Sequence, residues 1–393
     1  MVTRVSILGA TGSVGRSTAD ILVAHRDRFA VEAVAGGRDA PALADMAKRL
    51  GARFAAISDE RALPELRACL GGTGIAAAGG EGAVMEAALR PADIVVASIV
   101  GAAGVRPTHA AVQAGRTVAL ANKESLVCAG AAFMRDARAG GATLLPLDSE
   151  HNAIFQALGR HRPDEIEQMV ITASGGPFRT WPAGRIATAR REEALAHPNW
   201  SMGAKITIDS ASLMNKGLEL IEAHHLFGVS PERLGVVVHP QSIVHGLVSF
   251  SDGSVVAGLA LPDMRVPIAH CLGFPERLGT SARRLDLASI ARLDFEAPDL
   301  ARFPALRLAM EALEAGAGAP TVLNAANEVA VAAFLGGRLR FGDMAPLCEA
   351  MLDRFGEARD SGVLDSVEAA LALDAEVRRA AEALVPAALK SAH

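Results

Sequence analysis

The sequence predicts an α/β fold in which an N-terminal, doubly wound parallel sheet is followed by an α+β part and then by a helical part. Three observations predict it. Short apolar strands alternate with helical stretches up to about residue 150, as in parallel sheets covered by helices. A hairpin pattern then replaces this alternation, and from residue 300 onward apolar residues recur at helical spacing. The predicted boundaries are 1–149, 150–274, a connector at 275–299 that is rich in Pro, Arg and Leu, and 300–393.

The composition narrows the class of protein. The chain has 393 residues and a net charge of −5, which argues against a general nucleic-acid surface. Its four cysteines are far apart and form no CxxC pair, so we expect free thiols in the cytoplasm and no thiolate zinc site. The longest apolar run, IVVASIVGAAGV, is too short and glycine-broken to span a bilayer. No signal peptide is expected, because the first predicted strand begins at Val5.

Five apolar segments of the first part are predicted as strands: VSIL, FAVEAVAGGRD, PADIVVASIVG, GRTVALANKES and GATLLPLDSE. In the middle part, QMVITASGG and KITIDSAS are predicted as short strands. QSIVHGLVSFSDGSVVAGLAL is predicted as a hairpin that turns at residues 251–254. We therefore expect an antiparallel sheet there.

The C-terminal part is predicted to be helical. Two apolar faces indicate helices, one with Leu306, Met310 and Leu313 and one with Leu347, Met351 and Phe355. The pair Gly336–Gly337 is expected to end a helix, and Ser366 is expected to cap the last one.

A glycine loop, Gly9–Gly15, joins the first strand to a helix. This context is typical of dinucleotide binding, since the glycines allow close approach of a pyrophosphate to the helix amides, although the spacing is GxxGxxG. The alternative is an ordinary glycine turn. The second strand ends in Ala35–Gly36–Gly37–Arg38 and has no acid before the arginine. A cation there favours NADP over NAD, unless Arg38 is only a solvated loop residue.

Asp148 and Glu150 follow an apolar strand. In an extended segment residues i and i+2 point the same way, so the two carboxylates are expected to converge beyond the carboxyl end of the sheet. A hard divalent cation would relieve their repulsion. The alternative is a solvated acid pair.

The run DSASLMNKGLE combines hydroxyl, amide, ammonium and carboxylate groups. Ser210, Asn215 and Lys216 could hold a phosphate, and Glu219 lies one helical turn after Lys216. The alternative is a helix start capped by Ser212, with a surface Lys–Glu pair.

Two further loops carry candidate residues. Ser174 and the glycines after it could hold an anion, or could form an ordinary loop. The loop His197–Gly203 contains Trp200, one of only two tryptophans, which could close over a substrate as a lid or anchor the loop to the core.

Taken together, these motifs resemble the 1-deoxy-D-xylulose 5-phosphate reductoisomerase family. The resemblance rests on LGATGSVG, ANKESLV, LPLDSEHNAIFQ, ASGGPF, HPNWSMGAKITIDSASLMNKGLE, HPQSIVHGLV, LPDMRVPIAH and NAANEVAVAAF, which occur in this order along essentially the whole chain. HPNWSMG followed by MNKGLE is its most specific feature. The resemblance implies an NADPH-binding domain, a catalytic domain with a lid loop and a C-terminal helical bundle. It also implies a homodimer joined through the sheets of the catalytic domains.

The resemblance assigns roles residue by residue. It implies metal ligands at Asp148, Glu150 and Glu219, which bind one divalent cation such as Mn²⁺, Mg²⁺ or Co²⁺, and a phosphate site at Ser174, Ser210, Asn215 and Lys216. Ser149, Lys123, His197, Trp200 and Met202 match substrate-contacting and lid positions. The cofactor positions implied are Thr11, Gly12, Ser13, Val14, Gly36, Gly37, Arg38, Asn122, Lys123, Glu124 and Gly203. At positions 37–38 this chain has Gly-Arg where some relatives carry Lys-Asn.

The reaction implied is rearrangement of 1-deoxy-D-xylulose 5-phosphate to a branched aldehyde, which NADPH reduces to 2-C-methyl-D-erythritol 4-phosphate in the non-mevalonate route to isoprenoids. The rearrangement is expected to proceed by retro-aldol and aldol steps, with an α-ketol shift as the other route. Glu150 and Lys123 are both candidates for handling protons or stabilising charge. The partner is thus a sugar phosphate, with neither nucleic acid nor membrane involved.

Two rival functions are weighed against this one. A semialdehyde dehydrogenase also has a GATGxVG loop but needs a nucleophilic cysteine, and Cys128 has no histidine near it in sequence. A non-catalytic NADP sensor would need neither the three carboxylates nor a lid. Metal-dependent NADPH oxidation separates it from the enzyme.

Overall fold

The structure is a computed structural model that describes residues 2–200, 202–356 and 364–385, apart from the side chain of Pro163. The chain divides into two compact units. The first contains the residues up to 125, 133–152 and 263–283, and the second contains 126–132, 153–262 and the described residues from 284 onward. The predicted division into four segments stays a prediction.

The first unit is built on seven parallel strands: β1 (Thr3–Leu8), β2 (Phe29–Gly36), β3 (Phe54–Ile57), β4 (Ala76–Gly79), β5 (Ile94–Ala97), β6 (Thr117–Leu120) and β7 (Thr143–Pro146). Their order is β4-β3-β2-β1-β5-β6-β7. The order reverses at β1, which pairs with β2 on one side and β5 on the other. Doubly wound sheets bind their ligands at such a switch point, and the glycine loop follows β1 directly. The predicted fold class is confirmed.

Helices connect these strands: α1 (Ser13–Ala24), α2 (Ala40–Leu50), α3 (Leu63–Cys69), α4 (Glu81–Leu89), α5 (Val105–Gln113), α6 (Glu124–Gly140) and α7 (Ser149–Leu158). The helix α6 is kinked at Ala129, whose φ is −135°. The strands β2, β3, β5 and β6 are almost fully buried apolar segments, as expected when helices cover both faces, whereas the edge strands β4 and β7 are more exposed.

The second unit contains a mixed four-stranded sheet in the order β11-β10-β8-β9. Its strands are β8 (Ile166–Ala173), β9 (Leu234–Val238), β10 (Val244–Phe250) and β11 (Val255–Leu259). The predicted hairpin is β10–β11, and β10 is also antiparallel to β8. In contrast to the predicted antiparallel sheet, β8 and β9 are parallel. The long helical connection between them allows this, because parallel neighbours need a crossover rather than a tight turn.

The remaining helices are α8 (Ala183–Ala187), α9 (Arg191–Ala194), α10 (Ala204–Ala211), α11 (Met214–Phe227), α12 (Arg265–Gly273), α13 (Leu287–Ile290), α14 (Pro304–Ala315), α15 (Ala319–Leu335), α16 (Met344–Arg354) and α17 (Val367–Leu384). All but α12 belong to the second unit. The prediction that KITIDSAS is a strand is wrong, since most of it is helix α10. Its alternating apolar residues are also compatible with one buried helical face, and burial decided between the two.

One hydrophobic core joins the sheet of the second unit to the C-terminal helices. Ile171 of β8, Leu218 of α11, Leu306 of α14 and Leu323 of α15 are at most 1% exposed and belong to the same buried cluster. The predicted helix stop at Gly336 and the predicted helix cap at Ser366 are both confirmed. Helix α15 stops at Gly336, and the Ser366 side chain accepts a hydrogen bond from the Ala369 amide at the start of α17. Among the described residues, none of the helices combines the length and the hydropathy that crossing a bilayer requires.

Candidate active site

The glycine loop brings backbone amides to the carboxyl end of β1. At Gly9, φ is +91°, and a Cβ there would lie 2.5 Å from the Ser98 carbonyl oxygen. A Cβ at Gly15 would lie 2.5 Å from the carbonyl oxygens of Gly9 and Ala10. Only glycine therefore fits either position without moving the backbone. Gly12 precedes α1 and makes no side-chain cap, so the first amides of the helix are left to bind an anion.

The turn after β2 presents one cation, and the acid that follows it in sequence is turned toward the next helix. Gly36 is buried at the end of the strand, whereas Gly37 and Arg38 are exposed. Arg38 forms no ion pair or hydrogen bond within the part of the chain that the structure describes. The next residue, Asp39, turns its carboxylate back to the helix, where Oδ1 accepts a hydrogen bond from the Ala42 amide at 3.0 Å.

The segment Asn122–Glu124 holds the start of α6. The side-chain amide of Asn122 is buried and donates to the carbonyl oxygens of Ile99 at 2.7 Å and Gly101 at 3.0 Å. Its oxygen accepts from the Ser125 hydroxyl at 2.6 Å. The Asn122 side chain therefore fixes the loop after β5.

A buried ion pair joins Lys123 to Asp148, with 2.6 Å between Nζ and Oδ2. Their side chains are 6% and 14% exposed. The expected extended geometry of Asp148 and Glu150 is wrong, because α7 begins at Ser149 and places Glu150 in its first turn. There the Ser149 hydroxyl donates to Glu150 Oε2 at 2.6 Å. The Asp148 carbonyl oxygen accepts a hydrogen bond from the Asn152 amide at 2.8 Å, so the helical turn starts directly after Asp148, which alternation in the sequence does not reveal.

Two serine side chains of the second unit meet around one imidazole. His197 Nε2 lies 3.0 Å from the Ser174 hydroxyl and 3.1 Å from the Ser210 hydroxyl. His197 Nδ1 accepts hydrogen bonds from the amides of Asn199 and Trp200. A neutral ring that accepts at Nδ1 carries its proton on Nε2, so Nε2 donates toward the serines. The predicted phosphate residues Ser174 and Ser210 are therefore brought together.

A second cluster lies on the first turns of α11. Asn215, Lys216 and Glu219 are 7%, 6% and 1% exposed. Lys216 Nζ lies 2.7 Å from Glu219 Oε2, and the Asn215 amide donates to the other oxygen of the same carboxylate. The alternative of a surface Lys–Glu pair is wrong, because both groups are buried. Leu213, and not Ser212, occupies the N-cap position of α11, although the Ser212 hydroxyl accepts a hydrogen bond from the Met214 amide at 3.4 Å.

Burying a pair of opposite charges is costly, and replacing such a pair by apolar residues is often neutral or stabilising. The pairs Lys123–Asp148 and Lys216–Glu219 are therefore weak evidence for stability, and groups of this kind are candidates for a functional site.

The loop that begins at His197 is anchored to the segment between β9 and β10. The side-chain amide of Asn199 donates to the Pro240 carbonyl oxygen at 2.7 Å and to the Ser242 hydroxyl at 2.9 Å. The Trp200 ring lies edge-on to His245, with 6.2 Å between ring centroids. Gly203 forms the N-cap of α10, and Met202 is half-buried.

Sequence reasoning missed a polar network at Asp209, the residue before Ser210. Lys205 Nζ lies 2.8 Å from Asp209 Oδ2, and the Asn327 amide of α15 donates to Asp209 Oδ1 at 2.8 Å. The signal was the i, i+4 spacing of Lys205 and Asp209, which carries meaning only on a helix. The network ties α10, and with it Ser210, to a C-terminal helix.

Comparison with known proteins identifies the family. Models described as the 1-deoxy-D-xylulose 5-phosphate reductoisomerase family and its C-terminal domains match residues 5–130, 144–227 and 259–380. The reductoisomerase of Rhodopseudomonas palustris strain TIE-1 is 58% identical over 385 residues, which cover 98% of this chain and 95% of that protein. The chain belongs to this family. The reductoisomerase of Bradyrhizobium sp. strain ORS 278 is 57% identical over the same shares of both chains.

Solved structures of the reductoisomerase family agree. The Zymomonas mobilis enzyme in complex with NADPH is 47% identical, with a TM-score of 0.91, and the match covers 98% of this chain and 99% of that one. A reductoisomerase in complex with NADPH, fosmidomycin and magnesium is 42% identical, with a TM-score of 0.93 and coverage of 97% and 98%. The predicted family and the prediction of an NADP-dependent oxidoreductase are confirmed.

Family membership removes the two rival functions. Cys128, the nucleophile that a semialdehyde dehydrogenase would need, is 2% exposed, and its Sγ accepts a hydrogen bond from the Asn324 amide at 3.4 Å. A thiol enclosed in this way is not accessible to a substrate.

Proposed function

We propose that the chain converts 1-deoxy-D-xylulose 5-phosphate to 2-C-methyl-D-erythritol 4-phosphate, with NADPH as the reductant and one divalent cation in the site. Family membership supports the reaction. The observation that carries the assignment to residues is the burial of Lys216 and Glu219, side by side, at positions matching the family motif MNKGLE. In the family this reaction supplies isoprenoid precursors by the non-mevalonate route.

NADPH fits the first unit. The absence of a Cβ at Gly9 and Gly15 lets the loop pack against the carbonyl oxygens of Ser98, Gly9 and Ala10, and the loop so formed places Thr11–Val14 at the start of α1, where a pyrophosphate can bind. Arg38 supplies a cation for the 2′-phosphate. We assign Asn122, Lys123, Glu124 and Gly203 to the nicotinamide end by family resemblance.

A divalent cation fits the donors of the proposed metal site. Asp148, Glu150 and Glu219 offer carboxylate oxygens, the ligands that Mg²⁺ and Mn²⁺ prefer. When bound, the cation stabilises negative charge on the ketone and hydroxyl oxygens of the substrate. Magnesium is present in a homologous structure.

The chain's own residues perform the remaining tasks. Ser174, His197 and Ser210 share one hydrogen-bond cluster that offers hydroxyl and imidazole donors to a phosphate. Lys216 adds an ammonium and Asn215 an amide. Lys123 and Glu150 remain the two candidates for moving a proton, and Lys123 Nζ, with three donors, can hold an oxygen as well as Asp148.

We also propose that the loop His197–Met202 is a lid. The two hydrogen bonds from Asn199 hold it to the segment 240–242, and Trp200 is half-buried. Closure over the substrate would exclude water and strengthen electrostatic interactions at the reacting oxygens. Ser201 lies outside the described residues.

The lid is tested through tryptophan fluorescence. The chain has two tryptophans, and Trp181 packs against Phe178 with 4.7 Å between ring centroids. A Trp181→Phe variant therefore reports Trp200 alone. Saturating substrate or a phosphonate that chelates metal is expected to shift its emission. An unchanged emission, with binding shown independently, would reject the lid.

We propose that two copies pair through β11. It lies at the edge of its sheet, and Val255, Val256 and Leu259 are 55%, 42% and 39% exposed. An apolar strand edge of this kind invites pairing with another chain. A Val255→Glu/Leu259→Glu variant is expected to sediment as a monomer, whereas the parent sediments as a dimer. A monomeric parent would reject the proposal.

The proposed location is the cytoplasm. Its support is that no disulfide joins the four cysteines, all of which lie within the described residues.

The reaction is tested by following NADPH absorbance. Addition of 1-deoxy-D-xylulose 5-phosphate is expected to lower the absorbance only when Mg²⁺ or Mn²⁺ is present, with methylerythritol phosphate as the product. NADPH binding without turnover, at any metal concentration, would contradict the proposed reaction.

A further inference from the structure

The end of β3 lies beside the turn that ends β2. Backbone pairing continues beyond Ile57, since the Ser58 amide donates to the Gly36 carbonyl oxygen at 2.9 Å and the Asp59 amide donates to that of Gly37 at 3.1 Å. The Ser58 hydroxyl also points to the Gly37 carbonyl oxygen, at 3.3 Å. Asp59 is therefore placed next to Arg38, at the edge of the sheet where the adenosine end of a dinucleotide binds.

An acid at this edge opposes binding of NADP. Carboxylates near the end of β2 select the ribose hydroxyls of NAD, whereas a 2′-phosphate needs cations. The Asp59 side chain is 26% exposed, so its charge is only partly screened by water. The hydrogen bonds from Arg61 lower the pKa of Asp59 below its usual value, and the charge of Arg38 contributes to this lowering. Arg38 is therefore within electrostatic reach of Asp59.

Arg61 occupies both oxygens of this carboxylate. Nε lies 2.9 Å from Oδ1, and Nη2 lies 2.9 Å from Oδ2. The Arg61 amide also donates to Oδ1 at 3.1 Å, so Asp59 caps the short 3-10 turn that begins at Glu60. The Arg61 side chain is 91% exposed, so the pair lies at the surface, and the Arg61 guanidinium covers one side of the Asp59 carboxylate.

Asp39, the acid next to Arg38 in sequence, is engaged elsewhere, since it accepts a hydrogen bond from the Ala42 amide at the start of α2. The Glu60 carboxylate lies on the side of Gly80, the residue after β4, where its Oε2 is 3.9 Å from the position of a Cβ on that glycine. Asp59 is thus the acid that Arg38 would join if Arg61 did not hold it.

We propose that the Asp59–Arg61 pair determines cofactor preference: Arg61 masks the charge of Asp59 and leaves Arg38 available to the 2′-phosphate of NADPH. The inference rests on the proposed function in that the chain uses NADPH. Without Arg61, Asp59 repels the phosphate and attracts Arg38. Both effects weaken the binding of NADPH, and neither affects the binding of NADH, which lacks the 2′-phosphate.

The test measures dissociation constants of NADPH and NADH by cofactor fluorescence with the full chain. Arg61→Ala is expected to raise the dissociation constant of NADPH about three- to tenfold, the range of a partly screened charge interaction. The dissociation constant of NADH is expected to change less than about twofold. Arg67→Ala, which removes an exposed arginine from α3 in the same unit, is the control for net charge and is expected to change neither constant.

The decisive variant is Asp59→Asn combined with Arg61→Ala. If masking is the role of Arg61, removing the acid restores NADPH binding to within about twofold of the parent. An unrestored affinity, or an Arg61→Ala variant that weakens both cofactors equally or neither, overturns the proposal. Arg61→Gln serves as the second variant if the alanine variant does not fold. A parent chain that fails to bind NADPH would refute the proposed function instead, before any variant is compared.

Discussion

The two units prepare their ligand sites in opposite ways. In the first unit the proposed pyrophosphate site is made of backbone: Gly9 and Gly15 remove side chains, and the start of α1 supplies amides. In the second unit the proposed phosphate and metal groups are charged side chains held out of water, such as Lys216 and Glu219 at 6% and 1% exposure. A backbone site depends on local turn geometry, whereas a buried charge depends on partners that the whole fold brings near it.

This difference predicts how each site fails. Changing a glycine in the first unit should act through sterics and affect folding and cofactor binding together. Changing a buried charge in the second unit should act through chemistry and leave NADPH binding intact. The following predictions run from the largest expected effect to the smallest.

Glu219→Gln is expected to lower turnover by about a hundredfold or more, because a neutral amide binds a divalent cation weakly. The affinity for Mn²⁺ should fall, and the dissociation constant of NADPH should not change. Glu311→Gln, which alters an exposed carboxylate of α14 paired with Arg307, is the control. Unchanged turnover and metal affinity in Glu219→Gln would remove Glu219 from the metal site.

Gly15→Ala is expected to lower the free energy of unfolding by about 2–4 kcal/mol, because the new Cβ would overlap two carbonyl oxygens. Urea denaturation measures this loss, and NADPH binding should weaken in parallel.

Gly82→Ala is the matched control for Gly15→Ala. It lies in helix α4, where a Cβ meets no atom within 4 Å, and the alanine should stabilise the helix by about 0.5–1 kcal/mol. A destabilised Gly82→Ala variant, or a neutral Gly15→Ala variant, would contradict the steric account of the backbone site.

Arg38→Ala sharpens the comparison, because Arg38 is a charged side chain assigned to the 2′-phosphate, next to a pyrophosphate site that is made of backbone. A charge-assisted hydrogen bond contributes about 1.5–3 kcal/mol, so the Michaelis constant for NADPH should rise by roughly tenfold or more. The constant for NADH should stay nearly the same. Equal changes in both would show that Arg38 has a structural role.

A change of pH tests His225, a partly buried titratable side chain of the second unit to which no ligand is assigned. Burial, with a smaller contribution from His224, lowers the pKa of His225 from 6.5 to about 4. Between these values the unfolded chain binds a proton that the folded chain does not, so stability falls as the pH is lowered below about 6.5. From pH 7 to pH 5 we expect a loss of about 1–2 kcal/mol from this group.

The measurement is urea denaturation of the parent and of His225→Gln at both pH values. The variant should lose less stability than the parent over this interval. His161→Gln, at an exposed position, should follow the parent. An identical pH dependence in parent and His225→Gln would show that folding does not shift the pKa of His225.

The sequence by itself determined the parts that depend on local chemistry. Alternating apolar strands and helices predicted the parallel sheet, and the glycine spacing after β1 predicted the nucleotide loop, because φ and close backbone approach are properties of a few adjacent residues. The hairpin at 251–254 and the cap at Ser366 are local in the same sense.

Only the tertiary structure decided the conformation around the charged residues. Asp148–Glu150 and KITIDSAS were predicted as extended, but α7 begins at Ser149 and α10 contains most of KITIDSAS. The sequence could not decide this, because a short apolar run fits a strand or a buried helix face equally well. The pairing of Asp209 with Asn327 joins residues 118 positions apart. The burial of Lys216 and Glu219, which the sequence left open as a surface pair, comes from the packing of helices that are distant in sequence, and no spacing within the motif encodes how much water that packing excludes.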